Sequence, residues 1–112
     1  MQLADVMRKT AVLWLSGSPL WHVWHEGAAY VVGGGLEQPL PEWRHGRVTV
    51  RTKNGDVLAW GADVQPVPVG SPDWDAVVPL LHAKRLNAPD GEQQPARWAR
   101  ESTVLRLTPT GP

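Results

Sequence analysis

A chain of 112 residues without a single cysteine holds about one domain's worth of core, and it excludes both a disulfide framework and a thiolate metal site. Eleven Lys and Arg balance eleven Asp and Glu, so the basic excess of a free-standing nucleic-acid binder is absent and no nucleic-acid partner is expected. Near-zero net charge also gives little electrostatic protection against self-association, which fits an oligomer.

Aromatic usage is lopsided, with seven Trp, one Tyr and no Phe. That exceeds what one small core needs, so some Trp are expected to line a pocket or an interface; a composition bias is the plain alternative. The apolar run AVLWL after Thr10 is too short for a signal-peptide core, and Asp5 precedes it. Nothing approaches the ~18 apolar residues of a membrane-spanning helix. A single domain over residues 1–112, cytoplasmic and without a membrane partner, is the expectation.

In chain order, Leu3, Val6 and Met7 sit at helical spacing within Gln2 to Lys9 and predict a short helix lying across one end of a sheet. Ala11 to Ser16 reads as a first strand, turned by Gly17-Ser18-Pro19. Leu20 to His25 is a second strand, with Trp21, Val23 and His25 on one face and His22 with Trp24 on the other. Glu26-Gly27 turns the chain into a third strand, Ala28 to Val32. These strands are apolar on both faces, which requires cover on both sides by barrel closure, a helix or a partner subunit.

Gly33-Gly34-Gly35 opens an irregular stretch to about Gly46 whose Pro39 and Pro41 suggest a functional loop or flexible flap. Arg47 to Lys53 alternates, with Val48, Val50 and Thr52 opposite Arg47, Thr49, Arg51 and Lys53. Asn54-Gly55 is a hairpin signal demanding positive φ, and Asp56 to about Val64 returns as a strand. Ser71-Pro72-Asp73 starts a helix with an N-cap hydroxyl, Pro at the first position and acids in the first turn. Trp74, Val77, Val78 and Leu81 form its apolar stripe, while Pro79 predicts a kink or two short helices. Asn87 to Gln94 reads as a polar loop, Pro95 to Glu101 as a helical turn, and Thr103 to Leu107 as a last strand.

Chemistry-bearing residues are few. His22 and His25 lie three apart on a strand and point to opposite faces, so a shared metal would need a bulge and help from His45 or His82; no metal site is expected. The glycine triplet is followed by neither Lys-Ser/Thr nor a helix and is not a phosphate loop. No Gly-x-Ser-x-Gly elbow is present. Arg47, Arg51 and Lys53 form a strand-borne basic stripe with cations roughly 7 Å apart at alternate positions, a spacing able to hold a phosphate; a solvated outer strand face is the alternative. Arg97, Arg100 and Arg106 make a second basic group beside Trp98.

The segment PLWHVWHEGAAYVV, an apolar strand carrying Trp, then a Gly turn and a Tyr strand, resembles the split β-barrel of the pyridoxamine 5′-phosphate oxidase-like family, which includes flavin- and deazaflavin-binding reductases. The resemblance implies a mostly β fold with short helices, a six-stranded antiparallel split β-barrel. It also implies a homodimer packed face to face, FMN or a deazaflavin in the cleft between subunits, and oxidoreductase chemistry. Basic residues of the strands and following loop hold the cofactor phosphate in that family. Here Arg47, Arg51 and Lys53 are the phosphate candidates, and His22 with Trp24 are the candidates to stack on the ring. No catalytic residue is assigned. The alternatives are a split-barrel dimer without cofactor, or a small β-barrel serving as a binding or interaction module.

Overall fold

The computed structural model describes residues 2–43, 46–85 and 90–110. Its elements are α1 (Leu3–Lys9), β1 (Val12–Leu15), β2 (Ser18–Trp21), β3 (Val23–His25), β4 (Ala28–Gly33), β5 (Gly46–Arg51), β6 (Val57–Pro66), α2 (Pro72–Ala83), a 3-10 turn (Gly91–Gln93), α3 (Gln94–Glu101) and β7 (Thr103–Pro109). Arg44, His45 and residues 86–89, which include the first part of the polar loop expected over Asn87 to Gln94, lie outside the described residues.

The strands form one antiparallel sheet in the order β2-β1-β5-β6-β7-β4-β3. Its two outermost strands are consecutive in the chain, separated only by His22, so the sheet curls round until its ends meet. The result is a nearly closed barrel of seven strands rather than six. The expected second strand is divided because its first half pairs with β1 (Val12 opposite Trp21) and its second half with β4 (Val23 opposite Tyr30).

Alternation then sorts the side chains. Leu13, Leu15, Leu20, Ala29, Val31, Val48, Val50, Trp60, Leu105 and Leu107 fill the barrel, and α1 stops one end with Val6 and Met7. Trp24 joins this interior and meets Trp60 edge-on, ring centroids 6.3 Å apart; neither indole N–H has a hydrogen-bond partner. Outside, Val23, Ala28, Tyr30, Val32 and Val104 are covered by Trp74, Val77, Val78 and Leu81 of α2 and Trp98 of α3. β4 is therefore buried along its whole length, as a strand apolar on both faces must be.

Local chemistry explains the turns. Ser16-Gly17 and Glu26-Gly27 both carry positive φ at both residues and make two-residue hairpins, the turn geometry that suits the strand twist. The first turn is thus one residue earlier than expected, and Ser18 and Pro19 belong to β2. Pro19 is tolerated there because β2 is an edge strand that needs no further ladder bond. At the β5–β6 hairpin only Gly55 has positive φ; the loop is the longer Thr52–Asp56, closed by Gly55 N–H to the Thr52 carbonyl at 3.0 Å. Ser71 caps α2 by accepting from the Trp74 N–H at 3.2 Å. α2 continues through Pro79 as one helix: Pro79 and Asp75, whose carbonyl loses its bond, both lie on the exposed side, and the buried stripe holds the rest.

Candidate functional site

The seam where the barrel ends meet is filled by side chains from the stretch after β4. Gln38 acts as a piece of strand: its Oε1 accepts from the Trp21 N–H at 2.9 Å, and its Nε2 donates to the carbonyls of Trp21 and Val32, each at 3.1 Å. Glycine is needed for the chain to fold back this sharply. Gly34 and Gly35 have φ of 84° and 60°, and a Cβ on Gly33 would stand 2.7 Å from the Gln38 carbonyl oxygen. Glu37 follows inward with a carboxylate shut off from solvent, paired to Arg85 at 3.1 Å and Arg97 at 3.0 Å. Arg97 also grips Asp90 at 2.6 Å, which raises its own pKa and holds the Asp90 carboxyl below the usual carboxylate range. Arg85 in turn stacks over Trp21, 5.8 Å from the ring centroid. The stretch expected to be a functional loop or flap is, over residues 34–40, a fastened plug.

His22 sits beside this seam, 1% exposed, with Nε2–H donating to the Met7 carbonyl of α1 at 3.2 Å. Its own carbonyl accepts from Lys84 Nζ at 2.8 Å. Burial pushes the imidazole pKa down from 6.5 to about 4, with the nearby Lys84 charge adding to the effect, so the ring is neutral at pH 7. Trp24 points into the barrel two residues later. The expected stacking pair does share a face, and that face is turned to the barrel interior, with His22 buried and Trp24 half-buried. The second basic group is also committed: Arg97 to Glu37 and Asp90, and Arg106 to Asp73. Arg100 lies exposed on α3. His82 Nδ1 meets Gln94 Oε1 at 2.8 Å, and among the described residues no three acidic or histidine side chains gather to hold a metal.

The opposite wall is built differently. Val12 and Trp14 of β1, Arg47, Thr49 and Arg51 of β5, and Val57 and Ala59 of β6 all face outward, because their neighbours Leu13, Leu15, Val48, Val50, Leu58 and Trp60 face the core. No described helix covers them: Val57 is 64% exposed and Val12 37%. Trp14, half-buried, shares a concavity of about 210 Å³ with Thr49, Val50, Arg51 and Val57. Arg47 and Arg51 form no ion pair or side-chain hydrogen bond with the described residues. A guanidinium, an indole and an apolar strand residue lining one concavity are groups that suit a planar ring bearing a phosphate or carboxylate, so the donor set fits a flavin-type group. Lys53, the fifth expected residue, has left the strand for the hairpin turn and faces α1. Of the five, only Arg47 and Arg51 share a surface. Trp14 was missed as a site residue because a strand apolar on both faces does not announce which one looks out.

No family model and no curated protein matches the chain. Two solved structures share its fold. The heme storage protein HutZ of Vibrio cholerae aligns over 96% of this chain and 87% of its own at a TM-score of 0.60 and 13% identity. An FAD-binding protein of Mesorhizobium loti aligns over 96% of this chain and 86% of its own, at a TM-score of 0.55 and 13% identity. The fold is therefore a split-barrel-like architecture, mostly β with short helices.

Proposed function

We propose that this protein is a cofactor-binding split barrel that works as a homodimer, with a phosphate-bearing flavin, FMN or a deazaflavin, held against the outer face of β1, β5 and β6. The observation that carries this reading is that face: apolar, uncovered by any described element, and equipped with Trp14 and two guanidinium groups that have no ion-pair partner among the described residues. A concavity of about 210 Å³ is smaller than the roughly 300–1,000 Å³ of ordinary cofactor sites, so a second copy laid on the face would supply the other wall. The protein's part would be to bind and orient the group and to exclude water; the bound flavin would supply the hydride chemistry of an oxidoreductase. That the two fold relatives are named for heme storage and FAD binding supports a planar cofactor on this architecture.

Titration of purified protein with FMN and with a deazaflavin, followed by flavin absorbance, tests this. Saturable binding is expected, weakened about ten- to a hundredfold by Arg51→Ala, since a hydrogen bond to a charged group is worth roughly 1.5–3 kcal/mol. Binding should also fall with added salt. The small size of the concavity in one chain favours a second reading, a dimer that carries no cofactor; absence of binding up to about 1 mM, a free energy of only about 4 kcal/mol, would put it in first place.

A further inference from the structure

A larger cleft lies between α1 and the β5–β6 hairpin, and the flavin reading makes no use of it. It encloses about 350 Å³, within the range of small-molecule sites, and its floor is Val6, part of the plug that stops the barrel end. Lys9 lines it from the helix, and Lys53 lines it from the turn. Neither ammonium makes an ion pair or a hydrogen bond with the described residues. The one acid in the lining, Asp5, is paired along the helix with Arg8 at 3.4 Å. Thr52 Oγ1 accepts from the Asp56 N–H at 3.1 Å, which leaves its O–H free to donate, and the Asn54 carboxamide beside it has no partner among the described residues.

We propose that this cleft binds a compact phosphorylated small molecule. The two ammonium groups line one cleft from different elements, and a dianion bound there would be attracted to both. A phosphate group offers three acceptor oxygens, enough for two ammonium groups and a hydroxyl or amide donor at once, whereas a carboxylate offers two. The apolar floor then takes the body of the ligand. This site stands apart from the outer face: it draws on α1, and neither Arg47 nor Arg51 lines it.

The probe is inorganic phosphate, titrated at low ionic strength into uniformly labelled protein while backbone amide resonances are followed, with succinate as the carboxylate comparator. Saturable shifts confined to the amides of Lys9, Thr10, Thr52, Lys53 and Asn54 are expected, tighter for phosphate than for succinate. Lys53→Gln, an exposed turn residue whose loss leaves the core untouched, should weaken binding about tenfold, as should Lys9→Gln. Arg51→Ala should leave it unchanged, which separates this site from the flavin reading. No saturable shift, shifts centred on Arg47 and Arg51, equal affinity for succinate, or full affinity in both lysine variants would overturn the proposal.

Discussion

Two outer walls of the same barrel are made by the same alternation of inward and outward residues, yet they are finished differently. Over β3, β4 and β7 the outward residues Val23, Tyr30, Val32 and Val104 are sealed by α2 and α3, and the adjoining seam is closed by Gln38 and by Glu37 between two arginines. Over β1, β5 and β6 the outward residues Val12, Trp14, Val57 and Ala59 meet no helix, and the arginines beside them no acid, among the described residues. Burying a side chain of this size contributes roughly 1.5–3 kcal/mol, so a wall left bare forgoes several such contributions. The difference teaches where to look for a partner: the helical wall is covered by described elements of the same chain, and the bare wall is the one the proposed second copy would cover.

The widest gap between the walls is expected from their tryptophans. Trp24, half-buried but packed on the barrel core against Trp60 with its indole N–H sealed from solvent, should cost about 3 kcal/mol on truncation to Ala. Trp14→Ala acts on a half-exposed ring of the bare wall and should cost about 1 kcal/mol or less in the isolated monomer. Urea midpoints at low protein concentration measure both, and equal losses would erase the distinction between an inner and an outer tryptophan.

A comparable effect sharpens the finished side. His22 has a folded-state pKa of about 4 against 6.5 unfolded, so between those values the unfolded chain binds the extra proton. Stability should be fully present above pH 6.5 and fall as the pH drops to about 4, by about 3 kcal/mol in all. Asp90 adds a loss of the same sign only lower, as the pH falls below its unfolded value of 3.8 toward its depressed folded one. Melting temperature followed against pH should therefore decline through this window, and the decline should flatten in His22→Gln. A wild-type curve flat from pH 6.5 to 4 would mean that the imidazole is not buried as described.

Much of this contrast was legible in the sequence, and the missing parts have physical causes. Period-two alternation placed Val48 and Val50 inside and Arg47, Thr49 and Arg51 outside, and the Ser71-Pro72-Asp73 start of α2 held because capping is local chemistry. The break at His22 left no mark, since alternation runs unbroken from Leu20 to Trp24 while the pairing partner changes from β1 to β4. Pairing partners are set by tertiary closure, which no local pattern encodes. The role of Gln38 was hidden for the same reason: a glutamine in a Gly- and Pro-rich stretch looks like loop polarity until the strand ends it bridges are known. The hairpin expected at Asn54-Gly55 is present, but positive φ falls on Gly55 alone, and Thr52 offers its side-chain oxygen to the Asp56 N–H across a longer loop. For the candidate site, alternation identified the outward arginines but could not tell which aromatic stands beside them, since both faces of β1 are apolar.

The bare wall is what the proposed dimer depends on, and sedimentation equilibrium at micromolar concentration addresses it without any ligand. Twice the chain mass of 12.3 kDa is expected for wild type. Trp14→Glu and, separately, Val57→Asp should each return the single-chain mass with an unchanged far-ultraviolet spectrum, because a charge on this wall disrupts association and not the barrel. A wild-type species at 12.3 kDa throughout, or a dimer that survives both substitutions, would contradict the assignment of this wall as the surface that a second copy covers.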